Sequence, residues 1–196
     1  MKSLTRRCLI PPARIQRFTK SDWKSSILRI TLSTLFILIM SGCESRNQEN
    51  SRVPAALADI IVIQKSAHVM SLMRGSQVLR TYKIALGRSP TGPKTKAGDH
   101  KTPEGMYSID GKKPNSKFHL ALHISYPSEA DRERARQLGV SPGGDIEIHG
   151  LQNGLGWIGS LHRTFDWTDG CVALTNAEIE EVWNLVSVGT PVRITP

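Results

Sequence analysis

Cysteine is scarce in this chain. The 196 residues hold three, Cys8, Cys43 and Cys171, and no two of them stand close enough to form a Cys-x-x-Cys pair. A disulfide-dense scaffold and a cysteine zinc ribbon are thereby excluded. His-Glu-x-x-His is also missing, and with it the commonest helical zinc spacing. No apolar run is long enough for a membrane span: the longest, Ile30–Met40, has eleven mostly apolar residues where about 20 are needed. Internal repeats and low-complexity tracts are absent too. The net charge of +9 points to nucleic acid only until it is located. Residues 1–43 hold eight Lys/Arg and one acid, Asp22, which leaves 18 basic and 16 acidic residues for 44–196. A body this near neutrality has no electrostatic footprint for nucleic acid.

The N-terminal part reads as a secretion leader. A basic region precedes the apolar run, and Ser41-Gly42-Cys43 follows it directly. The last feature resembles a bacterial lipobox, with Met40 where Leu is usual. That resemblance implies a signal peptide over 1–42, lipidation of Cys43, and a periplasmic protein anchored to a membrane, the outer one by expectation. Residues 43–58 are polar and aperiodic, as a tether would be. Cys171 is then the only thiol of a domain spanning 59–196, with no internal disulfide available to it.

Strands dominate that domain. Ile60–Ile63 is a β-branched run, and Val69–Met73 and Val78–Leu86 flank Arg74-Gly-Ser-Gln77 as in a hairpin. Gly87–Gly105 is turn chemistry throughout, and a loop of that length in a compact domain tends to be functional. Met106–Ile109 resumes a strand. Phe118–Ser125 alternates, with Leu120, Leu122 and Ile124 on one face and His119, Ala121 and His123 on the other. A polar helix is predicted from Asp131 to Leu138. Ile146 and Ile148 share one face of a further strand, with His149 on the other. Thr175-Asn-Ala-Glu178 has capping-box spacing before Ile179, Val182, Trp183 and Val186, which predicts a helix ended by Gly189. Thr190–Ile194 closes the chain as a strand.

Two residues carry the candidate chemistry. Cys171 supplies a nucleophilic sulfur, and His149, at the end of a strand-like run, supplies a base for its proton. Gly170 allows close backbone approach, and the N–H groups of Gly170 and Cys171 are candidate oxyanion donors. A third group must fix the imidazole; Asp145, Asp169 and a backbone carbonyl are all open to that role. Metal binding is disfavoured, because His119 and His123 on a strand stand about 13 Å apart.

The pattern His149-Gly150 … Thr168-Asp-Gly-Cys171-Val resembles the active-site signature of the L,D-transpeptidase catalytic domain, the YkuD family. Lys101-Thr-Pro-Glu-Gly105 and Gly189-Thr-Pro-Val192 resemble further family motifs, and Phe118–Pro127 with Ser141–His149 resemble its YafK-type branch. The resemblance implies a mainly β, sandwich-like fold with one or two short helices packed on it. It implies a peptidoglycan L,D-transpeptidase without metal or cofactor, acting on tetrapeptide stems, with a wall-attached lipoprotein as another acyl acceptor. Cys171 would be the nucleophile, His149 the general base and Gly170 an oxyanion donor. Gly150, Asp169, His123 and Trp157 are the candidate substrate-binding residues. Asp169 stands where many members have His, and Ala173 where many have Arg or Asn, so Lys101, Arg88 and Arg163 become candidates to meet a substrate carboxylate. Hydrolysis on the same substrate and non-catalytic wall binding are the alternative readings.

Overall fold

The computed structural model describes residues 57–196; the leader, Cys43 and most of the tether lie outside the described residues. The elements in chain order are β1 (Ile60–Gln64), β2 (Val69–Arg74), β3 (Gln77–Lys83), β4 (Gly105–Ser116), β5 (His119–Ile124), α1 (Glu129–Gln137), β6 (Glu147–His149), a 3-10 helix (Gly156–Thr164), β7 (Val172–Ala173), α2 (Asn176–Leu185) and β8 (Pro191–Thr195). Eight strands form one sheet in the order β3-β2-β1-β8-β4-β5-β6-β7. Beyond β3 the chain continues to Ala85, which exchanges backbone hydrogen bonds with Ala173 of the far edge strand β7, at 3.1 and 2.8 Å. The sheet therefore curls until its two ends meet, and no open edge is left at β7.

Local chemistry explains the elements. β2 and β3 pair antiparallel through Arg74 and Gln77, with Gly75 at φ 56° supplying the left-handed turn residue. Both helices open on a reciprocal capping box: Ser128 with Asp131 for α1, Thr175 with Glu178 for α2. α2 buries Ile179, Val182 and Leu185. Trp183 is only half-buried, and the Lys112 ammonium lies 4.4 Å from its ring centre. The core runs through Ile61, Ile63, Leu72, Ile109, Leu122, Ile124, Ile148 and Leu174, each without exposed surface.

Three details depart from the sequence reading. β4 continues past Ile109 to Ser116, tolerating Gly111 and Pro114 through register shifts against β5. Ala121, placed on the polar face of its strand, is as fully buried as Leu122, because the curl covers both faces of β5. A 3-10 helix forms between His149 and Cys171, kinked at Gly159.

Candidate active site

β6 and β7 run parallel, with Ile148 opposite Val172 and His149 opposite Ala173. Ile148 and Val172 point into the core with no exposed surface. Successive side chains alternate between faces, so His149, Ala173 and Cys171 share the opposite face. β5 continues the rows, with Ala121 opposite His149 and His123 opposite Glu147. The imidazole thus sits in a row between two alanines, whose methyl groups leave it room. Cys171 is its diagonal neighbour, in the row of Glu147 and His123.

His149 is 2% exposed. Its Nδ1 lies 2.7 Å from the Gly150 carbonyl oxygen, which can only accept, so Nδ1 carries the proton and Nε2 holds the lone pair. The third group is therefore a backbone carbonyl and neither aspartate. Burial lowers the imidazole's pKa, against the opposing pull of the Gly150 carbonyl, so the resting ring is neutral. Phe118 packs against it at 4.4 Å between ring centres, and Trp167 at 5.7 Å.

The Cys171 thiol is pushed up to about 11, by burial first and then by the charges of Glu147, Asp169 and Asp145. Its Sγ points at the Asp145 carbonyl oxygen, 3.6 Å away. No hydrogen bond joins Cys171 to His149 among the described residues. The resting pair is a neutral thiol beside a neutral imidazole.

Gly170 holds φ at 125°, and a Cβ there would fall 2.6 Å from the Lys101 carbonyl oxygen. Gly87 is as confined: its Cβ would fall 2.2 Å from His100 O and 3.0 Å from the Gly170 Cα. Three backbone segments therefore meet beside Cys171, and only glycine permits it. The Gly170 N–H, expected as an oxyanion donor, donates instead to Thr168 Oγ1 at 3.2 Å. Thr168 in turn donates to the Cys171 carbonyl at 2.8 Å, so its hydroxyl is committed on both sides. The Cys171 N–H makes no hydrogen bond among the described residues and is the donor left for a developing oxyanion.

The other candidates divide. Gly150 lies behind the site, where a Cβ would meet Asn176 Oδ1 at 2.9 Å and the Phe118 carbonyl oxygen at 3.0 Å, so its glycine serves packing. Asp169 turns to the 87–105 loop, where Arg88 and His100 hold its carboxylate below the usual range. Asp145 has φ 53° and an exposed carboxylate, 3.7 Å from His123 Nε2. His123 Nδ1 is bonded to Asp110 at 2.5 Å. Trp157 is 79% exposed on the 3-10 helix. Of the three cations, Arg88 pairs with Asp169 and Arg163 with Glu178, while the Lys101 ammonium makes no ion pair among the described residues. Among those residues no group of His, Cys, Asp and Glu could hold a metal ion.

Sequence reasoning missed Glu147, Thr168 and Asn176. Glu147 stands beside Cys171 and is bound by Lys113 at 2.6 Å. It was legible, since alternation puts it on the face of His149. Asn176 accepts from the Leu151 N–H at 2.9 Å and so ties the residue after His149-Gly150 to the start of α2. No sequence spacing signals that contact.

The model of the YkuD L,D-transpeptidase catalytic domain matches residues 58–194. The chain belongs to the YkuD family. Among its YkuD relatives is the Escherichia coli (strain K12) protein named "Putative L,D-transpeptidase YafK", 32% identical over 113 residues. That match covers 57% of this chain and 38% of the relative, so the chain spans well under half of that protein's length. Among solved structures, the helical cell shape determining protein Pgp2 of Campylobacter jejuni superposes with a TM-score of 0.54 at 26% identity. That superposition covers 70% of this chain and 47% of Pgp2. The likeness to Pgp2 supports the YkuD fold seen in the curled sheet.

Proposed function

We propose that this protein is a cysteine-dependent L,D-transpeptidase acting on peptidoglycan tetrapeptide stems. The observation that carries the reading is the shared face of Cys171 and His149, with the imidazole tautomer fixed so that its free lone pair is on Nε2. Sγ attacks the carbonyl carbon at the L-centre of the third stem residue as its proton passes to Nε2. The oxyanion that forms takes the Cys171 N–H. Collapse breaks the amide C–N bond, and His149 returns the proton to the departing D-alanine amine. An acceptor amine then attacks the thioester, gives a proton to Nε2, and frees the sulfur to recover it. With an amine from a second stem the product is a 3-3 cross-link. With a lipoprotein lysine it is a protein joined to the wall, and with water a trimmed tripeptide. Lipidation at Cys43 would hold the domain beside this polymer in the periplasm.

A thiol held near 11 also suits the alternative, a binder that holds stem peptides without reacting. One experiment separates the two. The purified protein is incubated with disaccharide-tetrapeptide and, separately, with a carbapenem, and products and intact mass are read by mass spectrometry. The expected result is released D-alanine and a carbapenem adduct, with activity about 10³-fold lower or more in Cys171→Ala and no adduct on that variant. A wild-type protein inert to both reagents selects the binder; an adduct that survives in Cys171→Ala removes Cys171 as nucleophile.

A further inference from the structure

Glu147 occupies a corner between Cys171 and His149. Alternation along β6 puts it on the face of His149, two residues or about 7 Å away. The parallel register of β6 with β7, carried back one residue, sets it beside Cys171, one strand spacing or about 4.8 Å across. Its side chain is 13% exposed, and Lys113 reaches over from β4 to donate to Oε1 at 2.6 Å. His123 of β5 stands opposite it, with Asp110 on its Nδ1. A carboxylate in this corner works against a thiol that must lose its proton. Burial pushes the Cys171 thiol up, the Glu147 backbone N–H pulls it down, and the charges of Glu147, Asp169 and Asp145 push it up again.

The same charge acts on His149 in the helpful direction. Burial lowers the imidazole's pKa, and the Gly150 carbonyl and then Glu147 raise it. One carboxylate thus resists a thiolate and favours an imidazolium. The other charged neighbours do not repeat this pairing. Asp145 and Asp169 act on the thiol, and Asp169 is bonded to Arg88 and His100. His162 is held neutral by burial and sets no charge against His149 from the other side. Lys113 grades the effect. Its hydrogen bond to Glu147 raises the ammonium's pKa, so the cation persists and offsets part of the carboxylate's field at both partners.

We propose that Glu147, clipped by Lys113, is a positioning residue for the second half of the reaction, holding the His149 imidazolium while the acceptor amine opens the thioester. This rests on the acyl-transfer reading. As Sγ attacks, its proton moves to Nε2, negative sulfur and positive imidazole develop together, and the two influences of Glu147 oppose each other. In the acyl-enzyme the sulfur is bonded to carbon and carries no charge, so only the support of the imidazolium remains. There the acceptor nitrogen bonds to the carbonyl carbon and its proton passes to Nε2. The C–S bond then breaks, and the leaving sulfur recovers that proton. A charge about 7 Å from the ring, at an effective dielectric near 20 and offset in part by Lys113, changes that step by about tenfold.

The test compares wild type with Glu147→Gln, Glu147→Asp and Lys113→Met. Decay of the acyl-enzyme formed from disaccharide-tetrapeptide is followed by intact mass after an acceptor tetrapeptide is added. Thiol reactivity is read separately, as the rate of iodoacetamide alkylation at alkaline pH, where His149 is neutral. In Glu147→Gln, alkylation at a fixed pH is expected to rise about tenfold while acyl-enzyme decay slows about tenfold. Lys113→Met is expected to move both rates the other way, and Glu147→Asp to keep most of the wild-type behaviour. Undiminished acyl-enzyme decay in Glu147→Gln overturns the proposal. Slowing of both rates in every variant, the mark of a structural disturbance, overturns it too. Should Glu147→Gln fold poorly, Lys113→Met decides, and two rates that move in the same direction there count against the proposal. A wild-type protein that forms no acyl-enzyme and releases no D-alanine fails the acyl-transfer reading itself, and is told apart because its alkylation still responds to Glu147.

Discussion

Two long segments meet at Cys171, and they handle their polar groups in opposite ways. The 87–105 loop is held from beneath by buried charge. The Lys65 ammonium, 3% exposed, donates to Gly92 O at 2.7 Å, Thr102 O at 2.8 Å and Glu104 Oε1 at 2.8 Å. Lys94 reaches Asp99 at 2.8 Å, and Asp99 also accepts the backbone N–H groups of Thr95, Lys96 and Lys101. The 150–170 segment leaves buried His162 Nε2 and Arg163 Nε without partners and puts Trp157, Leu161 and Phe165 into solvent. Buried polar groups are normally satisfied, so a loop whose buried charges, Lys94 and Asp99, are bonded to each other is a structural wall. The 150–170 segment instead keeps large apolar side chains in solvent, surface that a partner could cover.

The largest effect expected of this contrast is on Lys65. Lys65→Met leaves Glu104 and two carbonyls without their shared cation, and breaking such a buried pair costs about 3–5 kcal/mol. Urea or guanidinium unfolding should show that loss, and full stability in the variant would mean the loop is not clipped as described. Next comes the seam between the two segments. In Gly170→Ala a left-handed φ and a Cβ 2.6 Å from Lys101 O coincide. Backbone strain of this kind costs about 1–3 kcal/mol, and its relief must shift Cys171 itself. Carbapenem acylation should therefore fall further than stability does, and a proportionate fall in both would contradict the close three-backbone junction.

pH should separate the two segments in a single titration. The folded pKa of His162 is lowered to about 4 from an unfolded 6.5, chiefly by burial, and that of His149 is lowered too. Protons are then bound preferentially by the unfolded chain in that window, so stability is complete above 6.5 and is lost as pH falls towards 4. Asp99 behaves as the ionic loop requires. Burial alone would raise it, yet Lys94 and three backbone N–H groups bring it down to about 2. Its contribution is present above the unfolded value of 3.8 and is lost only as pH falls through about 2. Thermal denaturation across pH 7 to 2 should accordingly show two steps of loss. His162→Phe should reduce the upper step and Asp99→Asn the lower. A single step, or no change in the upper one on removing His162, would dissolve the distinction.

Much of this arrangement was legible in the sequence, for particular physical reasons. Thr175 and Glu178 announce α2, because a capping box and a 3.6-residue apolar period agree there. The placement of His149 and Cys171 followed from strand alternation and from the scarcity of thiols. What stayed hidden depends on partners far along the chain. The closure of Ala85 on Ala173 buries Ala121, and no local pattern encodes it. The group that orients His149 is a carbonyl, which every residue possesses, so the sequence left it open beside Asp145 and Asp169 and could not choose between them. Thr168 takes the Gly170 N–H through a turn two residues long that spacing does not distinguish from a free one. Asp169, the departure from the family pattern, is accounted for only by its partners: Arg88 and His100 belong to the loop, and the pair stitches that loop to the residue before Gly170.

The smallest expected effect is the most discriminating. Leu161 is 67% exposed and lines an apolar cavity of the 150–170 segment. Surface substitutions away from caps and buried partners usually stay within about 0.5 kcal/mol, so Leu161→Ser should leave unfolding midpoints almost unmoved. On turnover it should act unevenly. Were the disaccharide to rest on this apolar surface, a stem carrying it would show a raised KM in the variant, whereas a free tetrapeptide would not. The ratio of kcat/KM for the two substrates is the quantity to measure, because it cancels any shared change in Cys171. If the 150–170 segment were a wall like its counterpart, the ratio would stay constant and the orphaned His162 would be a tolerated defect of folding. A ratio that falls several-fold while stability holds would identify the segment as a binding surface, and the contrast between the two loops as a division of labour.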